Sequence, residues 1–77
     1  MTLNGAIHQL RMALFRIDEA RENLQNAADA LRLGKQDGRA EMLEMKGEEL
    51  QIIRKRIAND LHVLEEQAVI ELLKVKP

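Results

Sequence analysis

The chain has no cysteine, serine, tryptophan or tyrosine; Phe15 is its one aromatic ring and Thr2 its one hydroxyl side chain. Without thiols there is no disulfide and no thiolate metal site, and the usual nucleophiles reduce to Thr2 beside the amino terminus. No catalytic triad can be assembled from such a set. The missing tryptophan and tyrosine also remove the rings that stack on bases or anchor at a membrane interface. Neither sign of charge is in excess: 13 acidic residues face 12 basic ones, a net charge of -1. A nucleic acid or an anionic membrane would select a positive field that this balance does not generate. No apolar run approaches the ~20 residues a transmembrane helix needs, and no basic segment precedes an apolar run as in a signal peptide. The expectation is a cytoplasmic protein with no membrane partner.

What is present is helical periodicity. From Leu3, steps of seven reach Leu10, Ile17, Leu24 and Leu31, and four residues beyond the first four of these stand Ile7, Leu14, Arg21 and Ala28. Alternating steps of three and four are the signature of a coiled-coil seam, and Arg21 is its one charged member. A third row, Ala6, Ala13, Ala20 and Ala27, presents only methyl groups beside the seam and admits a close neighbour. Thr2 or Asn4 can cap this helix, and Gly34 suits a left-handed residue at its end.

The second half repeats the pattern. Leu43, Leu50, Ile53, Ile57, Leu61, Leu64, Ala68, Leu72 and Val75 advance by threes, fours and one step of seven, with Gly47 in the gap. Gly47 costs roughly 1 kcal/mol of helix propensity relative to Ala, which a close packing contact would offset. Asp37 is the cap candidate for this helix and Pro77 follows its end.

Between the two lies Gly34-Lys35-Gln36-Asp37-Gly38, two glycines bracketing polar residues. The reading is an all-α, antiparallel two-helix hairpin: helix about 3–33, turn about 34–38, helix about 39–75, in a single domain over 1–77. Folding the chain between Gln36 and Asp37 sets Leu31 against Leu43, Leu24 against Leu50, Ile17 against Ile57 and Leu10 against Leu64. Apolar meets apolar in each of these layers.

One seam leaves apolar residues over. Met12, Phe15, Val63, Val69, Ile70 and Leu73 lie off it towards the open end of the hairpin, and Met45 and Ile52 extend a second stripe. A chain this short seldom draws more than ~3–5 kcal/mol from one core, and a helix apolar on several sides needs more than one neighbour. Met12, Phe15, Val63, Val69, Ile70 and Leu73 are therefore the expected partner interface. A symmetric homo-oligomer is favoured, a dimer forming a four-helix bundle, with another helical protein as the second choice. Arg21 is expected either to fix the register of the seam or to lay its methylenes along it with its charge in water.

The remaining motifs carry little chemistry. His62 and Glu66 are four apart on one helix face and read as a solvated pair; the spacing from His62 to Glu65 reverses the Glu-then-His order of di-iron bundles. No catalytic, cofactor-binding or metal-ligating residue is expected. Arg54-Lys55-Arg56 is the sole basic run, and its members point about 100° apart, which reads as a solvated face. It supports the alternative function, a small nucleic-acid-binding or transcriptional regulator.

In length and hairpin plan the chain resembles the small chaperone subunits of type III secretion systems, which implies holding a secreted needle or filament subunit through an apolar helical face. Arg32-Leu33-Gly34 at the turn resembles the Trp-x-Gly secreted hairpins, with the tryptophan replaced and no tyrosine for their export signal. The function expected from the residues themselves is a non-enzymatic helical interaction module: an assembly, adaptor or chaperone subunit.

Overall fold

The computed structural model of the chain describes residues 2–75, which form helix α1 (Leu3–Leu33) and helix α2 (Asp37–Val75). The side chain of Val75, a seam candidate, and the expected stop at Pro77 lie outside the described residues. The helices pack against each other along their length in a rod of 66 × 15 × 15 Å. The radius of gyration is 18.0 Å, against about 11–12 Å for a globule of the same length. The antiparallel hairpin is the fold.

Of the two cap candidates it is Thr2 that caps α1. Its backbone is extended (φ -76, ψ 162) and its Oγ1 accepts from the Gly5 N–H at 3.0 Å, satisfying one of the free amides of the first turn. Asn4 lies inside that turn. The other end departs from the expected cap. Gly34 has φ -85, and the left-handed residue is Lys35, at φ 60. The Gln36 N–H reaches back to the Leu31 carbonyl (2.8 Å) and the Lys35 N–H to that of Arg32 (2.9 Å), the two bonds of a Schellman motif. These bonds set the position of the reversal, so the left-handed conformation falls one residue after the glycine. The turn is correspondingly short, residues 34–36, and α2 starts at Asp37. Asp37 is thus the first helical residue, and the Ala40 N–H bonds to the Gln36 carbonyl at 3.1 Å.

The seam of α1 is as the spacing predicts: Ile7 and Ala28 are buried and Leu3, Leu10, Leu14, Ile17, Arg21, Leu24 and Leu31 half-buried. Ala6, Ala13 and Ala20 are half-buried beside them, while Ala27 is exposed. In α2 the inward rows run from Ala40 through Gly47, Arg54, Leu61 and Ala68, and from Leu43 through Leu50, Ile57 and Leu64. All members of the four expected leucine and isoleucine layers are half-buried.

Three residues depart from the pattern expected of α2. Ile53 is 44 % exposed; it lies 100° round the helix from Arg54, which occupies the seam place in its stead. Leu72 is 67 % exposed, because its opposite number is Thr2 and α1 has ended there. Gly47 is no point of close approach: a Cβ built on it meets nothing within 4 Å. It lies in an open cleft with Arg21, Leu24, Leu43 and Gln51, where the seam has no large side chain to fill it. The Gln51 Oε1 is buried there without a hydrogen-bond partner.

Candidate functional site

The two flanks of the seam differ. Along one flank of α1, Arg11, Asp18, Gln25 and Arg32 recur every seventh residue, and each reaches α2. Arg11 donates to the Glu65 carboxylate (2.7 Å), and Asp18 accepts two bonds from Arg54 (2.7 and 3.2 Å). Gln25 and Arg32 both donate to Glu44, at 3.3 Å and 2.6 Å, with a second, shorter bond from Arg32. The alanine row on the other flank has only methyl groups to offer. Arg11, Asp18 and Arg32 each pair with a residue two positions from the one expected opposite, so the ion pairs lean along the axis without changing the layer register.

These contacts shift titrations. The Arg32 guanidinium, helped by the Gln25 amide, holds the Glu44 carboxyl down to about 2. Arg54, by its hydrogen bond, lowers Asp18 below the ordinary carboxylate range and is itself raised. The partners are substantially exposed, so they tie the helices in register more than they add stability. Arg54 is thereby taken out of the basic run: it is held in the seam, and Lys55 and Arg56 alone remain exposed. Arg21 has no ion pair among the described residues; it lines the cleft over Gly47.

The candidate interface residues are all exposed and do not form one patch. Val63, Ile70 and Leu73 lie on the side of α2 turned away from α1: Ile70 and Leu73 are 200° and 140° round the helix from the inward Ala68. Met12 is 140° from the buried Ile7 and so on the outer side of α1. Phe15 lies towards the polar flank, with the Arg16 guanidinium 6.0 Å from its ring centre. Val69 lies at the α2 edge of a cleft shared with Asn4, Ile7, His8 and Arg11. The hairpin therefore carries an outer apolar face on α2 and smaller apolar sites elsewhere. Among the described residues, Met12, Phe15 and Leu33 are the large exposed apolar side chains of α1, against nine on α2.

Of the outer-face residues, Met42 is not singled out by the spacing, and Met45 and Ile52 stand outside the expected interface as a separate stripe. Their signal was in the sequence, but it could be separated from the seam only once Ala40 and Arg54 were known to point inward. Chemistry of other kinds finds little here. His62 Nε2 and Glu66 Oε1 form an exposed pair at 2.9 Å, and no group of three or more potential metal ligands exists among the described residues. No helix among them is long and apolar enough to cross a membrane. No protein family matches the chain, and neither a curated protein nor a solved structure matches it. Neither resemblance noted from the sequence gains support from these comparisons.

Proposed function

We propose that the chain is a non-enzymatic protein–protein interaction module, a rigid helical hairpin that self-associates through the outer face of α2 and serves as an assembly, adaptor or chaperone subunit. The observation that carries this is the distribution of apolar side chains on α2, which is apolar on two opposite sides while α1 covers one. A helix so patterned is normally buried from both sides. A second hairpin laid on the free side gives a four-helix assembly with the two α2 helices at its centre and the α1 helices outside, and another helical protein is the second candidate for that place. The cytoplasmic setting expected from the sequence stays part of this proposal.

The alternative of nucleic-acid binding is weakened by the engagement of Arg54 with Asp18, which leaves a two-residue basic stretch. The test is a mass measurement by light scattering with refractive-index detection, since the chain lacks tryptophan and tyrosine. A mass near twice 8.8 kDa at micromolar concentration and a concentration-dependent melting temperature are expected. A well-folded monomer at all concentrations would remove self-association.

A further inference from the structure

The outer face of α2 has a pattern of its own. Met42 and Met45 begin it, Ile52 and Val63 stand in its middle, and Ile70 and Leu73 end it; all six are exposed. The polar places between them are Glu49, Arg56, Asn59 and Glu66, also exposed, and the whole set advances by alternating threes and fours. Ordered along the helix, apolar and polar places read the same in both directions about the point between Ile57 and Ala58. A stripe with that property is complementary to itself when two copies run antiparallel. Met42 then meets Leu73, Met45 meets Ile70 and Ile52 meets Val63, while Arg56 meets Asn59 and Glu49 meets Glu66.

We infer that the partner of this face is a second copy of the chain, packed antiparallel with Ile52 of one α2 against Val63 of the other. This rests on the self-association proposed above and specifies its geometry. The outer rows of α1 are not an equal candidate, being mainly polar with Gln9, Arg16, Glu19, Asn23 and Asn26. From Met42 to Leu73 the stripe is roughly 47 Å long; at a contact width of about 10 Å, two copies bury on the order of 1,000 Å² in total, the lower bound for a specific interface. The expected dimer is accordingly at the weak, reversible end of specific association. Its one mismatch is Glu49 against Glu66, and each of these carboxylates has a basic neighbour in its own chain: Lys46 at 3.6 Å from Glu49, and His62 at 2.9 Å from Glu66.

That mismatch gives a test with an unusual sign. Glu66→Lys converts both Glu–Glu contacts of the dimer into Glu–Lys contacts and should tighten dimerisation roughly tenfold; adding Glu49→Lys restores like charges and should undo the gain. Register is read by oxidising a variant carrying both Ile52→Cys and Val63→Cys at a concentration where the parent is dimeric. The two positions are about 16 Å apart within one chain, too far for a disulfide, so bridging occurs only between chains. A covalent dimer from the double variant, and none from either single variant, is the expected result. A dimeric protein in which Ile52→Cys bridges alone, or the double variant does not bridge, or Glu66→Lys weakens association, overturns this geometry and leaves self-association standing. A parent that stays monomeric overturns both and gives the face to a different partner.

Discussion

Arg54 and Asp18 clasp each other across the middle of the hairpin, guanidinium Nε to Oδ1 at 2.7 Å, with the arginine backbone in the seam itself. The row it interrupts is otherwise Ala40, Gly47, Leu61 and Ala68, so an apolar residue there fits the packing better than a charged one. Because Asp18 is solvated enough to stand alone, Arg54→Leu should raise the thermal midpoint by roughly 5 °C. Calorimetry checks this. A lowered midpoint would mean that the ion pair is a main source of hairpin stability.

Gly47 is the second weak place in the seam. With open space where its Cβ would stand, Gly47→Ala should stabilise the hairpin by about 1 kcal/mol through helix propensity alone. Denaturant unfolding followed by circular dichroism measures it. Gln51→Leu, which removes a buried acceptor lacking a partner, should act in the same direction.

At the turn, the strained residue is Lys35 and not the glycine before it. Lys35→Gly should therefore stabilise by about 0.5–1 kcal/mol, since glycine adopts a positive φ without steric cost but adds freedom to the unfolded chain. Gly34→Ala should be tolerated, its Cβ meeting the Leu31 carbonyl oxygen at an ordinary 3.5 Å. The reverse ranking in a melting comparison would place the left-handed residue at Gly34.

Acid should loosen the hairpin from its polar flank. Glu44 is held down to about 2 by Arg32, so the stability it contributes is present above the carboxylate's unfolded range near 4.5 and is lost as pH falls towards 2. Asp18, lowered by Arg54, acts in the same sense. Unfolding midpoints measured between pH 6 and 2 should fall through that window, and the fall should be smaller in Glu44→Gln. An equal slope in parent and variant would show that the pairing with Arg32 does not persist in solution.

The outer faces should respond unequally to charge. Ile70→Lys places an ammonium on the face assigned to a second copy and should dissociate the dimer with helix content retained, whereas Met12→Lys on the outer side of α1 should leave the mass unchanged. Scattering and circular dichroism on both variants decide it. Dissociation by Met12→Lys, or its absence with Ile70→Lys, would move the interface from α2 to α1.

The sequence made α1 legible because its rows are clean: one side apolar, the other polar, and a single arginine between them. In α2 the apolar residues occupy two opposite sides at the same period, and from spacing alone Ile53 outranks Arg54 for the seam. The choice is decided by phase, through Ala40, Leu61 and Ala68, and phase is visible only when α1 is in place. For the same reason the sequence shows the outer stripe only in pieces, with Met45 and Ile52 apart from Ile70 and Leu73. The shift of the left-handed residue to Lys35 depends on which carbonyls close the last turn, which residue type does not reveal.

The short turn also sets how the molecule assembles itself. Leu31 and Leu43 are close in sequence, whereas Leu10 and Leu64 are separated by most of the chain. Closing the first pair needs a small loop, and each later layer forms only a turn further on, so folding should run as a zipper from Gly34 outward and be fast. Amide protons near Leu31 and Leu43 should exchange slowest and those near Leu3 and Leu72 fastest. In the proposed antiparallel dimer the early-closing end of each hairpin would lie beside the late-closing end of the other, Met42 against Leu73, so each copy would brace the last turns of its neighbour's α2.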